Sequence, residues 1–321
     1  MSDKSKTFFE EGKKYSESEN YEEAIKSFQK SIEIDPDFQE AYSELGYALG
    51  NVERYDEALN SFEKALKIQS TASALYGQGL TLYYIENFPL AIESFEKALK
   101  LDESEWANYY LSRCYFNLGE YENALEYLKK ALNINSDFLE AWNDKGVIYS
   151  ILQKDQNALK SFEEVLRIDN TYLPAIYNLG TTLADMGRYD ESLKCLNRLI
   201  EVDGDNYKAH FYRANVLFLM QKGEEALESF KKAIELDSEQ PEAWNYQGCV
   251  LASMGNNDDA IESLEKAIAL YPEYEAAYMN LGVVYKGSKN EEEALKCFEK
   301  ALEISPDNED ALKEIGELKD N

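Results

Sequence analysis

The chain has 321 residues and carries 33 Lys and Arg against 62 Asp and Glu, a net charge of −29. Such a surface repels phosphate, so neither nucleic acid nor an anionic membrane is an expected partner. Hydrophobic residues at 44%, aromatics at 13%, and only 6 Pro and 16 Gly exclude a disordered acidic chain and leave room for long helices. No run approaches the roughly 18 apolar residues that a membrane span needs. The first fourteen residues are charged and lack the apolar stretch of a signal peptide. Cys114, Cys195, Cys249 and Cys297 lie far apart and form no CxxC pair, so a zinc ribbon or dithiol site is not readable. The expectation is a soluble, reduced, cytoplasmic protein.

In chain order the sequence repeats itself. YEEAIKSF at 21–28 returns as YDEALNSF at 55–62 and FPLAIESF at 88–95. The alanine of this phrase recurs at Ala24, Ala58, Ala91, Ala124, Ala158, Ala226, Ala260 and Ala294, with Ser192 in the one gap, at spacings of 33 or 34. A second small column runs through Gly12, Gly46, Gly79, Ser112, Gly146, Gly180, Ala214, Gly248, Gly282 and Gly316. Each period holds two apolar stretches of helical spacing around a short turn. Small side chains are expected where the two antiparallel helices cross, Gly46 against Ala58 being one such pair. Gly119, Gly187 and Gly255 fall where a first helix should end. Pro89 and Pro241 fall where helices should begin. Acid pairs such as Asp56-Glu57 and Asp190-Glu191 open second helices and complement the helix dipole.

The pattern resembles the tetratricopeptide repeat, W-x2-L-G-x2-Y followed by A-x3-F, A and P. The last repeat shows it as Tyr278, Leu281, Gly282, Tyr285, Ala294, Phe298, Ala301 and Pro306, and Trp142 and Trp244 supply the tryptophan elsewhere. The resemblance implies an all-α fold, a right-handed superhelical α-solenoid of nine tetratricopeptide helix pairs plus a C-terminal capping helix. The expected division is a tail at 1–4, then repeats at 5–38, 39–71, 72–104, 105–138, 139–172, 173–206, 207–240, 241–274 and 275–308, then the cap at 309–321. Repeats two and three are one residue short, and a local change of pitch is expected there. Repeat six is the most eroded, with Ser192, Leu196 and Leu199 in place of Ala, Phe and Ala.

Chemistry is sparse. A single histidine excludes His-pair metal sites within one chain. His210 stands in the column of Tyr42, Trp142 and Trp244 and reads as an aromatic stand-in packed between helices. Gly77-x-Gly79 sits inside a predicted helix and not after a strand, so it is no dinucleotide loop. Asp203-Gly204-Asp205 lacks the spacing of a calcium loop and reads as a turn. No Walker loop or nucleophile elbow occurs. No catalytic residue, metal or cofactor is expected, and the chain reads as a non-enzyme.

Function is then expected on the surface that the stack creates. Solenoids bind along their concave wall, and the resemblance implies that first helices line it. Repeats three and four would present Tyr76, Tyr83, Tyr84, Trp106, Tyr109, Tyr110, Arg113 and Phe116. Asn143, Tyr177 and Asn178 would follow in repeats five and six, then Tyr212, Asn245 and Asn280. Over the whole predicted wall, acids outnumber bases only eight to five, so most of the negative charge lies elsewhere. Aromatic and Asn-rich surfaces give contact area and adaptable hydrogen bonds. The lysines of the family's carboxylate clamp are replaced here mostly by Tyr, Asn or Ser. The expected function is a protein–protein interaction scaffold holding an extended peptide or protein segment, with basic flanks on the partner. The alternatives are a structural module that self-associates end to end, or an accessory subunit that presents substrates to a separate enzyme.

Overall fold

The computed structural model describes residues 3–319, and among them there are nineteen α-helices and no strand. The chain divides into two compact units, Met1–Gln153 and Lys154–Asn321. The first holds α1 (Asp3–Glu17), α2 (Tyr21–Ile34), α3 (Gln39–Asn51), α4 (Tyr55–Ile68), α5 (Ala72–Tyr84), α6 (Phe88–Leu101), α7 (Glu105–Asn117), α8 (Tyr121–Ile134) and α9 (Leu139–Ile151). The second holds α10 (Asp155–Ile168), α11 (Leu173–Asp185), α12 (Tyr189–Val202), α13 (Tyr207–Leu219), α14 (Gly223–Leu236), α15 (Pro241–Ser253), α16 (Asn257–Leu270), α17 (Glu275–Gly287), α18 (Glu291–Ile304) and α19 (Glu309–Lys319). Helix α1 already includes Asp3 and Lys4, so the expected tail at 1–4 is helical from residue 3, and residues 1 and 2 lie outside the described residues. The cap is α19, and residues 320 and 321 lie outside likewise.

The repeating columns build the core. The alanine column of the second helices is fully buried at every repeat, Ser192 included. Four residues on, Phe28, Phe62, Phe95, Leu128, Phe162, Leu196, Phe230, Leu264 and Phe298 are at most 1% exposed. The glycines of the first helices lie under these rings. A methyl on Gly12, Gly46, Gly79 or Gly282 would come within 2.6–2.9 Å of Phe28, Phe62, Phe95 or Phe298. The small columns do meet where the helices cross, as at Gly248, where a methyl would stand 3.1 Å from Ala260 O, and at Gly46 the ring of Phe62 also takes the space that the glycine leaves. Tyr278, at the tryptophan position of the motif in the last repeat, is partly buried.

The turn inside a pair is the same device in eight of the nine repeats, and the turn after α9 shares its positive φ and the first of its two bonds. The residue after the C-cap has positive φ, and its N–H and the next one return to the helix, as in Glu53 N to Gly50 O and Arg54 N to Leu49 O. This is a Schellman end, which satisfies carbonyls the helix leaves orphaned. Gly119, Gly187 and Gly255 fill three of these positions. Glu19, Glu53, Glu86, Gln153, Gln221 and Lys289 fill the other six at φ of 55–61°. A left-handed non-glycine costs about 1–2 kcal/mol per residue, and within the units the packing of the pairs offsets that cost at Glu19, Glu53, Glu86, Gln221 and Lys289.

The two short repeats end differently. Before α5 and α7 the missing residue is matched by a new cap: Thr71 accepts from Ala74 N, and Ser104 from Ala107 N. In the same position, the longer turns before α3 and α9 carry Phe38 and Phe138, with no side-chain cap. A hydroxyl cap contributes about 0.5–2 kcal/mol, which offsets only part of the loss of a buried ring.

In the second unit, repeat six keeps its burial but loosens its crossing. Ser192 is 0% exposed and donates to Gly180 O at 2.7 Å. A methyl on Gly180 would stand 3.3 Å from Cys195 and Leu196, against 2.6 Å at Gly248 and Gly282. Amides of α11 and α12 are expected to exchange with deuterium before those of α15 to α18, since stability in such stacks is a sum of repeat and interface terms. Equal protection across the four pairs of the unit would contradict this. At the C-terminus, α19 is held by Ala311, fully buried, and by Lys286, which reaches Glu314 and Glu317 at 2.6 Å each.

Candidate protein-binding face

Within each unit the first helices also touch the first helices of the next pair, α3 with α5, α5 with α7, and α11 with α13 through α17. Residues on that side of first helices therefore meet residues one repeat away. In the first unit this assembles an aromatic face. Tyr84, 52% exposed, lies 5.6 Å from Tyr83, which lies 5.4 Å from Tyr110. Tyr110 in turn stands 6.4 Å from Trp106, 44% exposed. Tyr76 joins edge-on to Tyr110 at 6.3 Å, and both rest on the buried ring of Phe95. Offset and edge-to-face contacts of this kind contribute about 0.5–1.5 kcal/mol each beyond burial. Phe116 turns away to Tyr121, at 5.8 Å, and is partly buried there.

Several residues expected on the binding wall have another role. Tyr109 is 5% exposed and packs on Phe138, at 5.0 Å. It belongs to the core, because the apolar turn before α9 closes over it. Arg113 is no open cation: its guanidinium lies 5.7 Å from the Tyr83 ring and 5.9 Å from the Tyr109 ring, with Asp144 4.0 Å away. Burial raises the Asp144 pKa, and Arg113, Tyr109 and Asn143 offset this only in part. Burial also raises Tyr76, Tyr109 and Tyr110. Asn143 is buried too, bonded to Asp144, so its expected role on a ligand backbone is corrected.

In the second unit, Tyr177 and Tyr212 meet edge-to-face at 5.2 Å and share a hydrogen bond. Asn245 is 4% exposed and accepts from Asn280 Nδ2 at 2.9 Å. The Asn245 oxygen is thus engaged by the next repeat, which corrects its reading as a ligand clamp. Asn280 and Asn178 are partly buried. Trp244 Nε1 donates to Ser238 O at 2.9 Å, and His210 Nε2 meets Gly204 O, also six residues back, at 3.0 Å. A carbonyl only accepts, so Nε2 carries the proton and the imidazole reproduces the indole N–H. In the first unit Trp142 makes the same bond to Ser136 O. The shared column was the sequence signal that could have predicted it.

The raised phenols carry a pH dependence. Unfolded tyrosine ionises near pH 10, whereas Tyr76, Tyr109 and Tyr110 hold their protons to higher pH because they are buried. Above about pH 10 the unfolded chain binds fewer protons than the folded one, so stability falls as pH rises. Thermal melts between pH 8 and 11 are expected to show this decline, shallower in Tyr76→Phe. A flat profile would contradict it. The thiols follow the same rule: burial pushes Cys114 up to about 12 and Cys249 and Cys297 up to about 11.

Helix pairs repeated at a fixed period, with a first-helix face of rings, define a scaffold of helical repeats. Tetratricopeptide repeat families match residues 12–52 and 248–288, 37–104, 139–172, 177–241, 229–262 and 275–308. The chain belongs to the tetratricopeptide repeat family. Regulator of microtubule dynamics protein 1-3 matches 85–147, which spans the repeat where Asn108 and Leu128 depart from the motif. No curated relative matches the chain. Among solved structures, MamA is 27% identical, with 53% of this chain and 93% of that one covered and a TM-score of 0.48. YrrB, described as a TPR protein with an unusual peptide-binding site, is 25% identical, with 58% and 96% covered and a TM-score of 0.48. MamA 41-end from Desulfovibrio magneticus RS-1 is 18% identical, with 53% and 97% covered and a TM-score of 0.50, a likeness of fold alone. The tetratricopeptide scaffold is typical of protein–protein interaction, and proteins built from it are typically non-catalytic. Among the described residues, no helix is long and apolar enough to cross a membrane.

Proposed function

We propose that the chain is a non-enzymatic scaffold that holds an extended peptide or protein segment across the first-helix faces of α5 and α7. The observation that supports this reading is the run of touching rings from Tyr84 through Tyr83 and Tyr110 to Trp106, both of whose ends are solvent-exposed. Apolar side chains of the segment lie on these rings. Basic flanks are drawn in by a chain whose net charge is −29. Tyr76 supports the face from below, and Arg113 with Tyr109 stiffens its α7 side. In the second unit Tyr177 and Tyr212, with Asn178 beside Tyr177 in sequence, offer a smaller patch of the same chemistry.

Binding is tested with peptides selected from a displayed random library on the wild-type protein. Replacing both Tyr84 and Trp106 by Ala is expected to weaken such peptides at least tenfold, since central aromatic anchors each cost about 2 kcal/mol or more on truncation and 1.4 kcal/mol is one decade. Both side chains are about half exposed, so the melting temperature should stay close to wild type. Unchanged affinity in the double variant would move the site off this face.

A further inference from the structure

One first-helix position is filled differently in repeats two and three. In repeat three it is Tyr83, whose ring is surrounded by Phe88 at 5.8 Å, Tyr110 at 5.4 Å and the Arg113 guanidinium at 5.7 Å, with a hydrogen bond to Asn117. One repeat earlier, 33 residues back, the same five positions hold Gly50, Tyr55, Gly77, Leu80 and Tyr84. The walls remain, but the ring that fills them has become Gly50, and the ring that faced it has become Gly77. The result is a hollow of about 310 Å³ between α3, α4 and α5, lined among others by Gly50, Tyr47, Tyr55, Gly77, Leu80 and Tyr84. Its walls are fixed. Tyr47 donates to Ser73 O at 2.6 Å, and Tyr55 and Tyr84 lie nearly parallel at 6.2 Å. A methyl on Gly50 would meet nothing within 4 Å.

We infer that this hollow receives one aromatic side chain of the bound segment, a Tyr or Phe beside a Lys or Arg, so that the ligand supplies the ring that repeat three supplies for itself. Tyr83 in its own socket shows which group such walls accept. The volume is at the lower end for a small-molecule site and suits a side chain better than a cofactor. The lining holds one charged group, Glu53, and no cation, whereas the repeat-three socket has Arg113 in the place of Leu80. A basic neighbour is therefore favoured and an acidic one disfavoured. The inference rests on the aromatic face proposed above, since Tyr84 is both a wall of the hollow and the first ring of that face.

The test uses the library-selected peptides and four proteins: wild type, Gly50→Ala, Gly50→Tyr and Trp106→Ala. Trp106 lies outside the hollow, so its variant reports on the face alone. Selected sequences are expected to converge on an aromatic residue next to Lys or Arg. Gly50→Tyr should fill the hollow and weaken binding at least tenfold, while Gly50→Ala leaves it within twofold. Changing the peptide's aromatic residue to Ala should cost the same in wild type and almost nothing further in Gly50→Tyr. Selected peptides without an aromatic residue, or wild-type affinity in Gly50→Tyr, overturn the inference. If Trp106→Ala alone weakens binding, the face stands and the hollow falls. If neither variant weakens it, or no peptide is selected, both fall. Should Gly50→Tyr melt below wild type, p-cresol titrated into the wild type decides: saturable shifts of the Gly46, Gly50 and Gly77 amide resonances support the hollow, and their absence overturns it.

Discussion

Tyr109→Ala is expected to destabilise the first unit by about 3–5 kcal/mol, the range for removing a fully packed aromatic side chain. The ring is 5% exposed and touches Phe138, Trp106 and Tyr110 at centroid distances of 5.0, 6.0 and 5.5 Å. Its hydroxyl also supports the Asp144 carboxylate, whose burial already raises its pKa against the pull of Arg113. Removing the ring leaves that carboxylate with one partner fewer. Tyr109→Phe isolates the hydroxyl and is expected to cost about 1–3 kcal/mol, the penalty for an unmet buried polar group. Urea unfolding followed by circular dichroism reads both. A Tyr109→Ala midpoint equal to wild type would return the residue to the binding face.

The second large effect sets two glycines on adjacent helices against each other. A methyl on Gly77 would come within 2.4 Å of the Phe62 ring and 2.9 Å of Tyr47. Phe62 is 1% exposed and lies about as close to Gly46, so its ring would have to shift to admit the methyl. Gly77→Ala is therefore expected to destabilise by about 1–3 kcal/mol through overpacking. Gly50→Ala, on the last turn of α3 and in open space, should instead stabilise by about 0.5–1 kcal/mol, because alanine loses less freedom in a helix. Melting temperatures of the two variants should move in opposite directions. A shared direction would mean that Phe62 can shift, and the close approach of α5 to α4 would lose its explanation.

Much of the fold was legible in the sequence because nearly every contact in a stack of repeats is local. A column such as Ala24 to Ala294, or Phe28 to Phe298, records a packing position once per repeat. Reading it needs only the period and the helical face. The nineteen helices, their pairing and the C-terminal cap followed from that. His210 was legible by the same route, and its hydrogen bond to Gly204 O shows why the column tolerates it.

The candidate site was legible as a cluster and not as a surface. Its residues were right for one face of α5 and α7, but exposure there is set by the next repeat. Trp106 and Tyr109 sit three residues apart on one helix. Phe138 from the following turn meets both rings, yet leaves Trp106 44% exposed and Tyr109 5% exposed. Asn245 and Asn280 looked like two ligands for a peptide, and the register of α15 against α17 joined them to each other. The hollow at Gly50 needs three helices in register before it exists at all. The period and residue type of each column thus determined the helices, their pairing and the buried alanines and phenylalanines, because those contacts recur at fixed sequence distance. Which side of each ring meets water was decided only by tertiary structure, because it depends on the one neighbour in the next repeat that breaks the pattern.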